Sequence, residues 1–214
     1  MRCLVLIGAA LLLGGCNMVV TSTPLFSRAD EAGAARLKPG VWEGTPDSGC
    51  AFDEKTPITT WPSCANGGVV GADGRIGGYQ GDPPTLSLND TILAAGDPLV
   101  MQVHNSEAVP GSGLTLTGYF YIALRPTGAD DQGRVTAFTA WAVQCGPPPP
   151  NPSANASKIE LGTRQPLAGL VMDKAHTNCT TRSAAALHNA AKVSEQWAAS
   201  GLSSTSHWLR GGVR

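Results

Sequence analysis

The chain of 214 residues predicts an α+β fold: a mainly antiparallel, twisted sheet able to curl into a half-barrel, with one C-terminal helix packed on it and disulfide staples. Three observations lead there. Between Thr85 and Cys145 strand signals bounded by turns accumulate, and two long runs alternate with period two. From Cys179 to Gly201 the spacing turns helical, the one convincing helix of the chain. Cys50, Cys64, Cys145 and Cys179 give the body of the chain an even number of thiols.

Composition narrows the function classes. Charged residues are 14% of the chain, against about a quarter in an ordinary soluble domain, and the net charge is −1. No basic stripe runs through it, so the electrostatic footprint of nucleic-acid binding is missing. With 26 glycines and 16 prolines, the chain reads as many turns and few helices.

Leu4 to Gly15 carries no charge and follows Arg2. A bilayer-spanning helix needs about 20 apolar residues, so this run is too short to be one. A basic start, a short apolar core and small residues at its end form the pattern of a secretory signal. The run closes on "LGGC", Leu13 to Cys16, which resembles the lipobox of bacterial lipoproteins. In that family the cysteine receives a diacylglycerol thioether, the signal is cut off before it, and the new amino group is acylated. The resemblance covers the first sixteen residues. It implies a signal peptide over 1–15, lipidation at Cys16 and the lipid bilayer as a partner through that residue. Asn17 in place of an aspartate implies the outer membrane, with the domain facing the periplasm or the cell surface. The competing reading is an ordinary cleaved signal with an incidental cysteine. "KPGVWEG", "FDEKTP" and "TTWPSCA" resemble segments of bacterial envelope lipoproteins to which no function attaches.

Export bears on the cysteines. With Cys3 removed in the signal and Cys16 acylated, four remain, and an oxidising compartment suggests two bridges. Three connectivities are open; pairing sequence neighbours, Cys50–Cys64 and Cys145–Cys179, is the favoured one. A zinc site is the rival, but no C-x₂-C pair is present.

Along the chain, 16–39 reads as a lipidated tether with one short helix, "SRADEAGAAR", in which Ser27 and Asp30 form a capping-box pattern. A single globular domain is expected over 40–201, starting at "GVWEG". Cys50 to Cys64 is a loop whose Phe52 and Trp61 are expected to plug one end of the core. The glycine-rich "NGGVVGADGRIGGYQGDPP" reads as turns, with a tight hairpin at Asp73-Gly74. In "LTLTGYFYIALRP", Phe120, Ile122 and Leu124 share one face with Leu114, Leu116 and Gly118, and Tyr119 and Tyr121 lie on the other. In "VTAFTAWAVQC", Val135, Ala137, Thr139, Trp141 and Val143 are expected on one side, and the two runs pair as a long hairpin. "CGPPPPNPSANAS" reads as a stiff surface loop. The helix should bury Leu187, Ala190, Ala191, Ser194, Trp197 and Ala198, start at a Thr180 or Thr181 cap and exit at Gly201. The tail 202–214 is expected to be loosely held.

Chemistry is sparse. No nucleotide-binding glycine pattern, G-x-S-x-G elbow, H-E-x-x-H or S-x-x-K occurs, so no cofactor is expected. His176 and Cys179 could begin a metal site, but no second ligand pair completes it, and no metal is expected. His104 and Glu107 in "HNSE" could form an acid–base pair, although turn residues look the same. The leading expectation is therefore a non-enzymatic, membrane-anchored module that binds or supports an unknown envelope partner. Two alternatives stand beside it: an envelope hydrolase using His104 and a carboxylate, and a binder of small apolar ligands whose cavity is lined by Phe120, Ile122 and Trp141.

Overall fold

The computed structural model describes residues 17–80, 84–108, 115–148, 165–174, 176–198 and 203–212. The strands are β1 (Val20–Thr21), β2 (Gly40–Gly44), β3 (Gly67–Val70), β4 (Ile76–Gln80), β5 (Thr85–Asn89), β6 (Thr91–Ala94), β7 (Leu99–Ala108), β8 (Thr115–Ala129), β9 (Val135–Ala142), β10 (Val171–Met172), β11 (Cys179–Thr180) and β12 (Ser203–Arg210). The helix α1 spans Ala184–Ala198. One ten-stranded sheet runs in the order β5-β4-β3-β2-β12-β9-β8-β7-β6, with β1 paired to β8, and every pairing in it is antiparallel.

The two edge strands of that order, β5 and β6, are consecutive in sequence and joined by Asp90 alone. Two residue steps reach about 7 Å at most, so the edges must meet there and the sheet curls into a nearly closed barrel. Arg28 braces the corner, donating to the Asp90 carboxylate (2.5 Å) and to the Thr91 carbonyl (3.2 Å). Side chains from opposite ends of the strand order share one apolar core: Trp42 of β2, Val70 of β3 and Ile76 of β4 lie in a cluster with Met101 of β7 and Ile122 and Leu124 of β8. Only a curled sheet brings these together. The predicted α+β fold with its half-barrel sheet is what forms, closed further than half.

From Tyr119 to Leu124, period two places the faces of β8 as expected, while Leu114 and the Leu116 side chain lie outside the described residues. Phe120, Ile122 and Leu124 point into the barrel, while Tyr119, Tyr121 and Ala123 join a second core on its outer wall. On β9 the expectation needs correction: Trp141 and Val143 face outward, but Val135 lies inside with Phe138 and Ala140. The register between β8 and β9 shifts on both sides of Gly128, and such an irregularity inverts the alternation beyond it.

The outer wall of β6–β9 is covered by α1, which buries Leu187, Ala190, Ala191, Ser194 and Ala198; Trp197 is only half-buried. Its N-terminus is capped by Ser183, whose Oγ accepts from the Ala186 amide (3.1 Å), and not by Thr180 or Thr181. Thr181 Oγ1 instead donates to the Gly169 carbonyl (2.9 Å). Gly201 lies outside the described residues. An ion-pair clamp completes the cover: Arg125 of β8 reaches both Glu195 oxygens of α1 (2.5 and 2.7 Å) and Asp97 (2.7 Å).

Two segments read as peripheral are structural. Within the expected tether over 16–39, Asn17 and Val19 are 4% and 0% exposed, and β1 pairs with β8. Gln102 of β7 pins the following strap, its Oε1 accepting from Leu25 (2.8 Å) and Phe26 (2.9 Å) and its Nε2 donating to the Phe26 carbonyl (3.0 Å). The short helix reduces to a 3-10 turn, Arg28–Glu31, carrying the expected Ser27–Asp30 capping box. The expected loose tail over 202–214 contains β12, which lies between β2 and β9 in the middle of the sheet. Backbone pairing on both sides holds it, and Trp208 Nε1 donates to the Pro39 carbonyl (3.0 Å).

Candidate functional site

Both expected disulfides form, Cys50–Cys64 and Cys145–Cys179, each with Cα atoms 5.7 Å apart. Cys16 lies outside the described residues. Cys179 is in a bridge, so it is not a metal ligand with His176, and among the described residues no group of three or more His, Cys, Asp or Glu could hold a metal ion.

The structure does not assemble the His104 site. His104 is exposed on β7 opposite Tyr119, their rings 4.9 Å apart, and it has no carboxylate partner among the described side chains. The Glu107 side chain lies outside the described residues. Nor do Phe120, Ile122 and Trp141 line one cavity. The first two belong to the barrel interior, whereas Trp141 sits on the opposite face under α1, its Nε1 donating to the Ala191 carbonyl (2.9 Å).

A buried carboxylate stands beside an imidazole elsewhere, on the outer wall next to the Cys50–Cys64 loop. Glu43 of β2 and His207 of β12 are register partners, and His207 Nε2 lies 3.2 Å from Glu43 Oε2. Strand alternation puts them there: Trp42 and Trp208 fill the barrel interior, so their neighbours face outward. The Glu43 side chain is 6% exposed and that of His207 is 55% exposed. Burial holds the Glu43 carboxyl above the usual range, the charge of Glu54 raises it further, and His207 pulls the other way. Arg210, from the same strand, donates to the Glu54 carbonyl and to the Thr56 carbonyl (2.6 Å), and so fastens the loop to β12.

The loop itself is built on Trp61. Its Nε1 donates to the Thr56 carbonyl (3.2 Å), and its ring packs against Phe52 at 4.8 Å between centroids. Below it, a Cβ at position 67 would stand 2.5 Å from the Trp61 ring, so glycine there lets the loop lie on β3. Ile58 closes a small core with Val41 and Val69.

A buried carboxylate 3.2 Å from an imidazole nitrogen is one element of a general-base arrangement. The hydroxyls on the same face, Thr45 and Thr205, are bonded to each other (3.0 Å). Among the described residues, the pair therefore stands without a nucleophile aligned on it. Sequence reading missed it because His207 sat in a segment read as tail. The alternation of "TSHWLR", with Trp208 and Ser206 inward, was the available signal.

Comparison of the chain with protein-family models, curated proteins and solved structures finds no match.

Proposed function

We propose that this chain is a lipid-anchored envelope protein that acts as a binding or support module and not as a catalyst. The observation that carries the reading is how the barrel is filled. Its interior is occupied by Trp42, Met101, Ile122 and Leu124, all at most 2% exposed, and its outer wall is covered by a helix and a loop. Among the described residues, Arg28, Arg125 and Arg210 serve as clamps between segments. Two disulfides fit an oxidising compartment. Among the described residues no helix is long and apolar enough to cross a membrane, and in this reading an acylated Cys16 supplies the attachment.

The test has two arms. Fractionation should find the wild type in the membrane pellet and a Cys16→Ser variant released; a variant still sedimenting with the membranes contradicts the anchor. In-envelope crosslinking should then give a discrete adduct that depends on surface residues of the barrel; its absence contradicts a binding role. A hydrolase reading rests on the Glu43–His207 pair alone. An activity lost in His207→Gln with the fold unchanged would favour it.

A further inference from the structure

The chain enters its fold one residue after the expected anchor. Asn17 is 4% exposed, with φ at 73°. Its amide donates to the Thr177 carbonyl, its carbonyl accepts from Cys145 N (2.8 Å), and its Nδ2 donates to the Gly146 carbonyl (2.9 Å). Met18 N donates to Asn178 Oδ1 (3.1 Å), and Val19 bridges Cys179 in parallel. The Cys145–Cys179 disulfide lies directly beside these contacts.

The parallel bridge fixes which end of the domain this is. Residues 17–19 run alongside 177–179, so Asn17 stands next to the turn of the β10–β11 hairpin and not next to its open end. In that turn Lys174 and His176 are exposed. The acidic member, Asp173, is turned inward, accepting from the Thr177 amide (2.9 Å) and hydroxyl (3.1 Å) and from the Asn178 amide (3.1 Å). Lys174 makes no ion pair among the described residues. On the outer strand of the hairpin, Val171 is 65% exposed, one of two exposed large hydrophobics among the described residues.

We infer that the domain has no tether and sits directly on the bilayer, with the β10–β11 turn at the level of the anionic lipid headgroups. This rests on the lipid-anchor reading of Cys16. One peptide link holds the Cα of Cys16 about 3.8 Å from that of Asn17, whereas a ten-residue extended tether would reach about 33 Å. Acyl chains on Cys16 therefore enter the membrane beside the turn. Lys174 presents its charge to phosphate there, and Val171 follows at the rim, the combination an anionic interface attracts.

The experiment uses the full acylated chain in vesicles of phosphatidylethanolamine and phosphatidylglycerol. Lys174→benzoylphenylalanine places a photo-crosslinker in the turn, and Gln132→benzoylphenylalanine places one in the β8–β9 turn. The second site lies at the opposite end of β9, a strand roughly 26 Å long. Lipid adducts should be several-fold more abundant from position 174, and a flexible Gly-Ser linker inserted between Cys16 and Asn17 should remove that excess. Equal labelling from the two sites in a chain that mass spectrometry shows to be acylated overturns the seating alone. An unacylated Cys16 overturns the anchor and the seating with it.

Discussion

The barrel wall is covered twice, and each cover is stapled by a disulfide with the same 5.7 Å Cα separation, yet the two covers are built differently. Under α1, Leu187, Ala190 and Ala191 are fully buried against Val100, Tyr121 and Trp141, and the staple itself is 0% and 1% exposed. Under the Cys50–Cys64 loop, the buried contact reduces to Ile58 on Val41 and Val69, and both cysteines are half-exposed. Beside it stand a buried carboxylate and an arginine that holds loop carbonyls. The helix cover is part of what makes the sheet fold; the loop cover is fastened on by a staple, a ring and polar contacts. A disulfide therefore says little about the weight of the structure around it.

The largest expected effect is removal of the helix-side staple. Closing a 34-residue separation contributes about 4 kcal/mol in the chain-entropy account, so Cys145→Ala with Cys179→Ala should cost about that or more in urea denaturation. It should also loosen the N-terminal segment that docks on Cys145 and Cys179. On the loop side, with a separation of 14, Cys50→Ala with Cys64→Ala should cost about 3 kcal/mol at most and leave the helical circular dichroism intact. Mild reductant should open this bridge first. A loop-side loss larger than the helix-side loss would break the comparison.

Within the cores, Leu187→Ala should cost roughly 3 kcal/mol, because it empties a fully buried site. Trp61→Ala should cost about 1–2 kcal/mol, because the ring is only half-buried. Chemical denaturation of the two variants side by side sharpens the contrast.

The smallest effects are in pH, and they have opposite signs beside the two covers. The raised Glu43 carboxyl favours the protonated folded state. Its stabilising share is present in acid and lost as pH rises from about 4.3 through the raised value. Melting temperatures should show the wild type falling relative to Glu43→Gln over that rise. His188 on α1, packed on Phe26 at 5.3 Å, is held below its ordinary value by burial, with the Asp30 charge opposing. Its share is present at neutral pH and lost as pH falls below about 6.5, so the wild type should lose ground to His188→Gln on acidification.

Much of the helix-side cover was legible in the sequence. β8 alternates cleanly, the helical face is marked by Leu187 and alanines at the right spacing, and the cysteines pair with their sequence neighbours. The segment before it and the strand after it were not. Asn17 and Thr21 are buried polar residues held by hydrogen bonds to chain a hundred residues or more away, and no local pattern encodes that. In β12, Ser206 faces the barrel interior at 2% exposure, so the apolar half of the alternation is muted there. The inversion on β9 turns on a register shift beside Gly128, which depends on the partner strand. The Glu43–His207 pair was hidden for the same reason, since its two halves meet only once β12 is recognised as a strand.

The central proposal is that an exported, lipid-anchored chain begins at Cys16 and that two bridges staple the covers of its barrel. Intact-mass spectrometry of the unreduced protein extracted from membranes tests it most directly. The account predicts a chain starting at an acylated Cys16, with the other four cysteines short of four hydrogens. An unmodified Cys16, or a chain that still carries residues 1–15, would contradict it.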